Sequence, residues 1–130
     1  MYEELMRKAC EVRANAYCPY SHFAVGAALL AKDGTVYTGC NVENGSYPVG
    51  MCAERVAFGK AIADGKTRGD FEAIAIAGAP AGESPDAPCY PCGMCRQVLM
   101  ELGGGELKVV LHDRVYRMNE LLPCCFALST

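Results

Sequence analysis

Residues 71–79 constrain the fold of this 130-residue chain more tightly than any other stretch. At their centre runs Ala73-Ile74-Ala75-Ile76-Ala77, with Asp70 before the segment and Pro80 after it. An apolar run of this length between turn residues suits a strand buried on both faces, which needs a covering layer above and below. The flanking segments can supply that cover. Leu5, Ala9, Val12 and Ala16 share one face of an amphipathic helix, which Tyr17-Cys18-Pro19-Tyr20-Ser21 breaks. Residues 24–31 and 35–40 flank Lys32-Asp33-Gly34, the signal of an antiparallel hairpin. Residues 41–51, rich in Asn, Gly, Ser and Pro, read as a loop. A helix is predicted over 52–64, with Ala57, Phe58, Ala61 and Ile62 as its apolar stripe and Gly65 as its stop. Residues 79–91 carry four prolines and form a long loop of the kind that often bears function. A further helix over 93–102 ends at Gly103-Gly104-Gly105. Short strands at 107–111 and 115–118 turn at His112-Asp113, and Asn119 is placed to cap a last helical turn ending at Pro123. The order α-β-β-α-β-α-β-β gives an α/β fold: one mixed five-stranded sheet with helices on its faces, in one domain over residues 1–130.

Composition excludes several function classes. With 52% apolar and 21% charged residues the chain folds rather than staying disordered. A net charge of -3 and the lack of any basic run argue against a nucleic-acid platform. The longest apolar stretch, residues 23–31, contains Gly26 and is too short to span a bilayer. The N-terminus is charged and amphipathic and has no signal-peptide core. A soluble, cytoplasmic protein without a membrane partner is expected.

Nine cysteines are the loudest compositional signal. An odd number with no export signal argues against a disulfide framework and for metal binding in a reducing compartment. Cys92 and Cys95 lie i, i+3 on the first turn of one predicted helix, and Cys52 begins another. Helix starts carry unpaired N–H groups and a partial positive charge that stabilise thiolates. Three thiolate ligands with an open fourth position are the layout of a catalytic zinc, and Glu54, two residues from Cys52, is placed to work on a water there. Three thiolates on Zn²⁺ leave a net charge of −1, which opposes acidifying that water. A guanidinium beside the sulfurs and two helix N-termini would drain it.

The motifs Cys52-Ala53-Glu54-Arg55 and Pro91-Cys92-Gly93-Met94-Cys95-Arg96-Gln97 carry the Cys/His-x-Glu…Pro-Cys-x-x-Cys signature of zinc deaminases. With Tyr20-Ser21-His22-Phe23-Ala24-Val25-Gly26-Ala27, Gly39-Cys40-Asn41-Val42-Glu43-Asn44 and the tail Leu121-Leu122-Pro123 to Phe126, the chain resembles the small homotetrameric zinc-dependent cytidine deaminases. The resemblance implies the family's three-layer fold, one Zn²⁺ per chain on Cys52, Cys92 and Cys95, and Glu54 as the catalytic proton carrier. It implies a nucleoside substrate bound by Phe23, Asn41, Val42, Glu43 and Ala53. Phe23 would pack on the pyrimidine, and Asn41 and Glu43 would hydrogen-bond the ribose. Arg55 matches the family's arginine beside the sulfurs, while Gly45, Tyr47 and Phe126 match positions contributed across subunits of a homotetramer. The implied reaction replaces the 4-amino group of cytidine or 2′-deoxycytidine by oxygen, with zinc activating water and Glu54 moving protons. The chain departs from the family at Tyr90, where Ser or Thr is usual, at Pro48-Val49-Gly50, and at Gly45, where Ala is common.

Other readings compete. Cys89, Cys92 and Cys95 resemble an iron–sulfur run, but the fourth cysteine is missing, with Val98 and Leu99 following instead. A structural zinc with Cys40 or Cys89 as fourth ligand would make a non-catalytic interaction domain and leave Glu54 without a role. Within the enzymes, a deaminase of a bulky cytosine antibiotic such as blasticidin S shares the zinc blocks, whereas the Asn-Val-Glu-Asn motif favours nucleosides. A polynucleotide-editing deaminase fits the acidic balance poorly. Cys89 reads as a free loop thiol, and Cys10, Cys18, Cys40, Cys124 and Cys125 as small core or interface hydrophobes. His22 and His112 read as ordinary histidines, and Arg96 as a solvated helix residue.

Overall fold

The computed structural model describes residues 1–128. Its sheet has the strand order β2-β1-β3-β4-β5, built from β1 (Phe23–Ala31), β2 (Val36–Cys40), β3 (Phe71–Pro80), β4 (Lys108–Val110) and β5 (Val115–Arg117). Strand β1 pairs antiparallel with β2 and with β3. Strands β3 and β4 are parallel, joined through helix α3 (Gly93–Gly103), and β5 returns antiparallel. The sheet is mixed and five-stranded, as the element order implies.

The Ala-Ile alternation of β3 sorts its two faces. Ala73, Ala75 and Ala77 pack with Leu5 and Ala9 of α1 (Glu3–Val12). Ile74 and Ile76 pack on the other face with Phe58 of α2 (Ala53–Ala63), Leu99 of α3, and Met118 and Leu121 of α4 (Met118–Leu121). Three layers result: α1, the sheet, and the group α2, α3 and α4. Small residues let the helices approach closely. A Cβ at Gly26 of β1 would sit 1.9 Å from the Ala9 carbonyl oxygen, and one at Gly39 of β2 would sit 2.5 Å from the Ala53 carbonyl oxygen.

Several local expectations need correction. Helix α1 ends at Val12 and passes through a 3₁₀ turn, Arg13–Asn15, so Ala16 is not helical. Thr35 belongs to the hairpin turn, where its N–H donates to Asp33 Oδ1 at 2.9 Å. Ile62 is exposed rather than part of the buried stripe. Asn119 does not cap the last helix. Arg117 stands at that position, its N–H donating to Glu120 Oε1 at 2.9 Å, while Asn119 N–H donates to Gly105 O at 3.0 Å. Cys124 and Cys125 are exposed, so they are not core hydrophobes of the single chain.

The contact at Gly39 carries a testable load, because it sets how near α2 lies to the sheet. Gly39→Ala should lower stability by about 1–3 kcal/mol, as overpacking typically does. A urea midpoint that falls with an unchanged slope checks this, and an unchanged midpoint refutes it.

Candidate metal centre and active-site cleft

Helices α2 and α3 bring their N-termini together, and the cysteines sit at both starts. Cys52 is the N-cap of α2, Cys92 the N-cap of α3, and Cys95 lies in the first turn of α3. Neither cap side chain bonds its own helix amides, so the sulfurs are left for one another. All three Sγ atoms lie within 4.8 Å of each other. Tetrahedral zinc with bonds near 2.3 Å would hold sulfurs about 3.8 Å apart, so the cluster needs little contraction to take the ion. Cys95 is buried, Cys52 half-buried and Cys92 exposed. The Cys52 thiol is pulled below its ordinary value, first by the neighbouring Cys95 and further by Arg55, while Cys95 is pushed up.

Arg55 donates through Nη2 to the Gly50 carbonyl at 2.8 Å, while its Nε is buried without an acceptor among the described residues. A cation with an unmet donor beside Cys52 and Cys95 suits a donor set that carries net negative charge when loaded with zinc. The residues therefore fit the ion. Glu54, in the first turn of α2, is buried, and its carboxyl is raised to about 7 by that burial, with the negative charge of Cys52 adding to the rise.

These groups open into a cleft of about 540 Å³. Of the residues singled out from the sequence, Phe23, Asn41, Glu43, Tyr47, Cys52, Ala53, Glu54, Arg55 and Cys92 line it. Val42 is not among its walls. Its N–H and carbonyl are both spent on Met51, at 2.9 and 2.8 Å, in a bridge that closes the 41–51 loop. Gly45 lies outside the cleft wall, where a Cβ would meet the Tyr20 hydroxyl at 3.2 Å. Tyr47 is exposed and packs edge-on against Tyr20, with ring centroids 5.7 Å apart. Phe126 lies exposed on the tail, its carbonyl accepting from Gln97 Nε2 at 3.4 Å.

Asn41 and Glu43 are already engaged with the chain. Asn41 Oδ1 accepts from Val25 N–H at 2.9 Å and its Nδ2 donates to Phe23 O at 2.8 Å, which braces the start of β1. Glu43 Oε1 accepts from the N–H groups of Tyr20 and Ser21, each at 3.1 Å, and Oε2 from the Ser21 hydroxyl. That hydroxyl is the main cause holding the Glu43 carboxyl below its ordinary value. An inventory of donors and acceptors leaves one Asn41 N–H and part of the Glu43 acceptor capacity for a ligand.

Tyr90, which departs from the family pattern, and the loop thiol Cys89 also shape the cleft. Tyr90 lines it, and the Tyr90 hydroxyl lies 3.4 Å from that of Tyr116, which donates to Asp113 Oδ2 at 2.5 Å. Cys89 is a half-buried thiol pushed up to about 11 by burial, and its Sγ fills the space beside Gly78. Ser21 stands inside one of the family-like blocks, but nothing in its spacing marks it as the partner of Glu43.

The family model of the cytidine and deoxycytidylate deaminase zinc-binding region matches residues 1–111, which include all three cysteines. A cytidine deaminase of Sporosarcina psychrophila is 48% identical over 130 residues, covering 96% of this chain and 90% of the relative. The crystal structure of cytidine deaminase from Burkholderia pseudomallei superposes with a TM-score of 0.89 at 46% identity, covering 97% of this chain and 99% of that one. That of cytidine deaminase from Mycobacterium tuberculosis gives 0.86 at 43% identity, with 98% of each chain covered. With its helix-start cysteines, buried glutamate and three-layer fold, the chain belongs to the zinc-binding cytidine and deoxycytidylate deaminase family.

Proposed function

We propose that this protein hydrolyses cytidine and 2′-deoxycytidine to uridine and 2′-deoxyuridine with release of ammonia, serving pyrimidine salvage in the cytoplasm. The family includes deaminases of nucleosides and of nucleotides, and the charge of the cleft favours the nucleoside. Among the described residues lining it, the charged side chains are Glu43, Glu54 and Arg55, and the Arg55 guanidinium is tied to Gly50 O and turned toward the charge of the sulfurs. A 5′-phosphate would meet a carboxylate and find no free cation.

In this reading Cys52, Cys92 and Cys95 hold one zinc per chain. Zinc, when bound, supplies the Lewis acidity that makes water a nucleophile near neutral pH. Arg55 balances the sulfur charge through its unmet donor. Glu54 would take one proton from the attacking water and pass it to ring N3, then take the second from the new C4 hydroxyl and give it to the leaving amine. A carboxyl that titrates near 7 has both forms populated at neutral pH, as these opposite transfers require. The Phe23 ring offers an apolar face to the pyrimidine, and Ala53 leaves room beside Glu54. The remaining N–H of Asn41 and the spare acceptor capacity of Glu43 suit a ribose hydroxyl, which accepts one hydrogen bond and donates another.

The active assembly in this reading is a homotetramer in which Gly45, Tyr47 and Phe126 of one chain complete a neighbour's site. Exposed apolar surface supports it: Tyr47 is 74%, Met94 64%, Phe126 65% and Leu128 71% exposed. Tyr47 and Met94 border the same cleft, and contiguous apolar exposure marks interaction surfaces.

Loss of cytidine absorbance on conversion to uridine, abolished by a chelator and restored by zinc, tests the activity. Deoxycytidylate turned over as well as cytidine would overturn the nucleoside assignment. Glu54→Gln should keep one zinc per chain and lose at least roughly 10²–10⁴-fold in turnover. Between pH 4.5 and about 7 folded Glu54 keeps a proton that the unfolded chain has lost, so wild-type stability falls with rising pH across that window. Glu54→Gln removes this cost. On chelator-treated protein its advantage over wild type should be absent near pH 4 and reach about 3 kcal/mol above pH 8; a gap independent of pH refutes the burial argument.

Glu43→Ala should lower kcat/KM for cytidine by roughly 5- to 150-fold, the effect of leaving a polar partner unmet, with zinc content unchanged. If free cytosine is as good a substrate as cytidine, the sugar contact fails. Sedimentation should give four chains per particle, and Phe126→Ala should raise KM without releasing zinc. A fully active monomer would contradict the shared site.

A further inference from the structure

We propose that Arg96 is a positioning residue for the metal centre: its guanidinium fixes the backbone turn that presents Cys92, through geometry rather than charge. The inference rests on the reading of Cys52, Cys92 and Cys95 as zinc ligands.

Cys92 is the exposed member of the cysteine cluster, and it enters α3 from residues 81–92, which contain neither helix nor strand. The direction of its sulfur therefore depends on what holds the Pro91–Cys92 turn. Proline has no N–H to contribute, so the Pro91 carbonyl is the backbone handle. Arg96 Nε donates to that carbonyl at 2.7 Å, and the Arg96 main-chain N–H donates to Cys92 O at 2.8 Å. One residue thus grips both sides of the turn.

The same guanidinium is anchored at its far end. Nη1 donates at 2.7 Å to the carbonyl of Leu121, the last residue of α4, whose Met118 and Leu121 side chains are buried in the core. A planar fork spans from the ligand turn to an element that the core already holds, and its fixed donor geometry restrains both ends. Gln97, the next residue, reaches the Phe126 carbonyl, so adjacent side chains of α3 hold the ligand turn, the end of α4 and the tail. Arg55 works differently, through its charge beside the sulfurs. A lysine at position 96 would keep the positive charge, but its single ammonium cannot reproduce the two-ended fork.

The test is the rate at which holoenzyme gives up zinc to a chromophoric chelator, read beside the thermal midpoint. Arg13→Lys serves as the comparison. Arg13 also clamps backbone, donating to Ala24 O at 2.8 Å and Ala79 O at 3.0 Å, but it borders a separate cavity with Cys10 and Cys18 rather than the cysteine cluster. Arg96→Lys and Arg96→Met should release zinc roughly 10-fold faster than wild type at a temperature where every variant is folded, the scale on which partners of metal ligands act. Arg13→Lys should lower the midpoint and release zinc at the wild-type rate. Wild-type release from Arg96→Lys would overturn the proposal, since charge alone would then suffice. Equal acceleration by Arg13→Lys would overturn it as well, by showing general loosening. A wild-type chain without zinc, or Cys92→Ser releasing it no faster than wild type, would instead overturn the ligand assignment.

Discussion

Sulfur anions have to be gathered at one point, and the rest of the structure depends on how their mutual repulsion is met. Two helix N-termini aimed at the cluster supply partial positive charge and unpaired N–H groups, and Arg55 adds a full charge. That solution fixes the architecture. Helices α2 and α3 must lie on the same face of the sheet with their starts together, which demands a close approach at Gly39 and bulky Ile74 and Ile76 beneath them. The opposite face carries none of this chemistry and sets mainly alanines, with Val110, under α1.

Burial of Glu54 shows a site working against the stability of its own fold. A carboxyl 4% exposed beside an anionic sulfur costs free energy once ionised, and the neighbouring core does not relieve it. The same burial brings its titration near neutrality. Glu43, in the loop before α2, is the opposite case: half-buried and capped by Ser21 and the backbone, it is held below its ordinary value and stays ionised, unsuited to carrying protons. Environment divides the labour between the two carboxylates.

Much of this was legible in the residues. The apolar run around Ile74 required cover on both faces, and glycines and prolines marked where the elements stop. Cysteine spacing put the sulfurs at helix starts, and the fold brings Cys52 to Cys92 and Cys95. What stayed hidden are contacts that backbone carbonyls make with distant side chains. The bonds from Asn41 to Phe23 O, or from Arg96 to Pro91 O and Leu121 O, have no periodicity, because a carbonyl is the same group in every residue. Asn119 misled for a related reason: a good cap by type, it was already claimed by the glycine turn at Gly105.

The unequal faces of β3 also divide the molecule by how readily its parts detach. Each alanine under α1 withdraws little apolar surface from water, on the order of one methylene's worth or about 0.8 kcal/mol, whereas an isoleucine or phenylalanine opposite contributes roughly 1.5–3 kcal/mol. Fluctuations short of global unfolding follow the weaker seam. Amides of α1 are therefore expected to exchange with solvent through openings that leave α2, α3 and the sulfur cluster assembled, even though Leu5 and Val110 add to the alanine seam. The chemistry sits on the layer that lets go last.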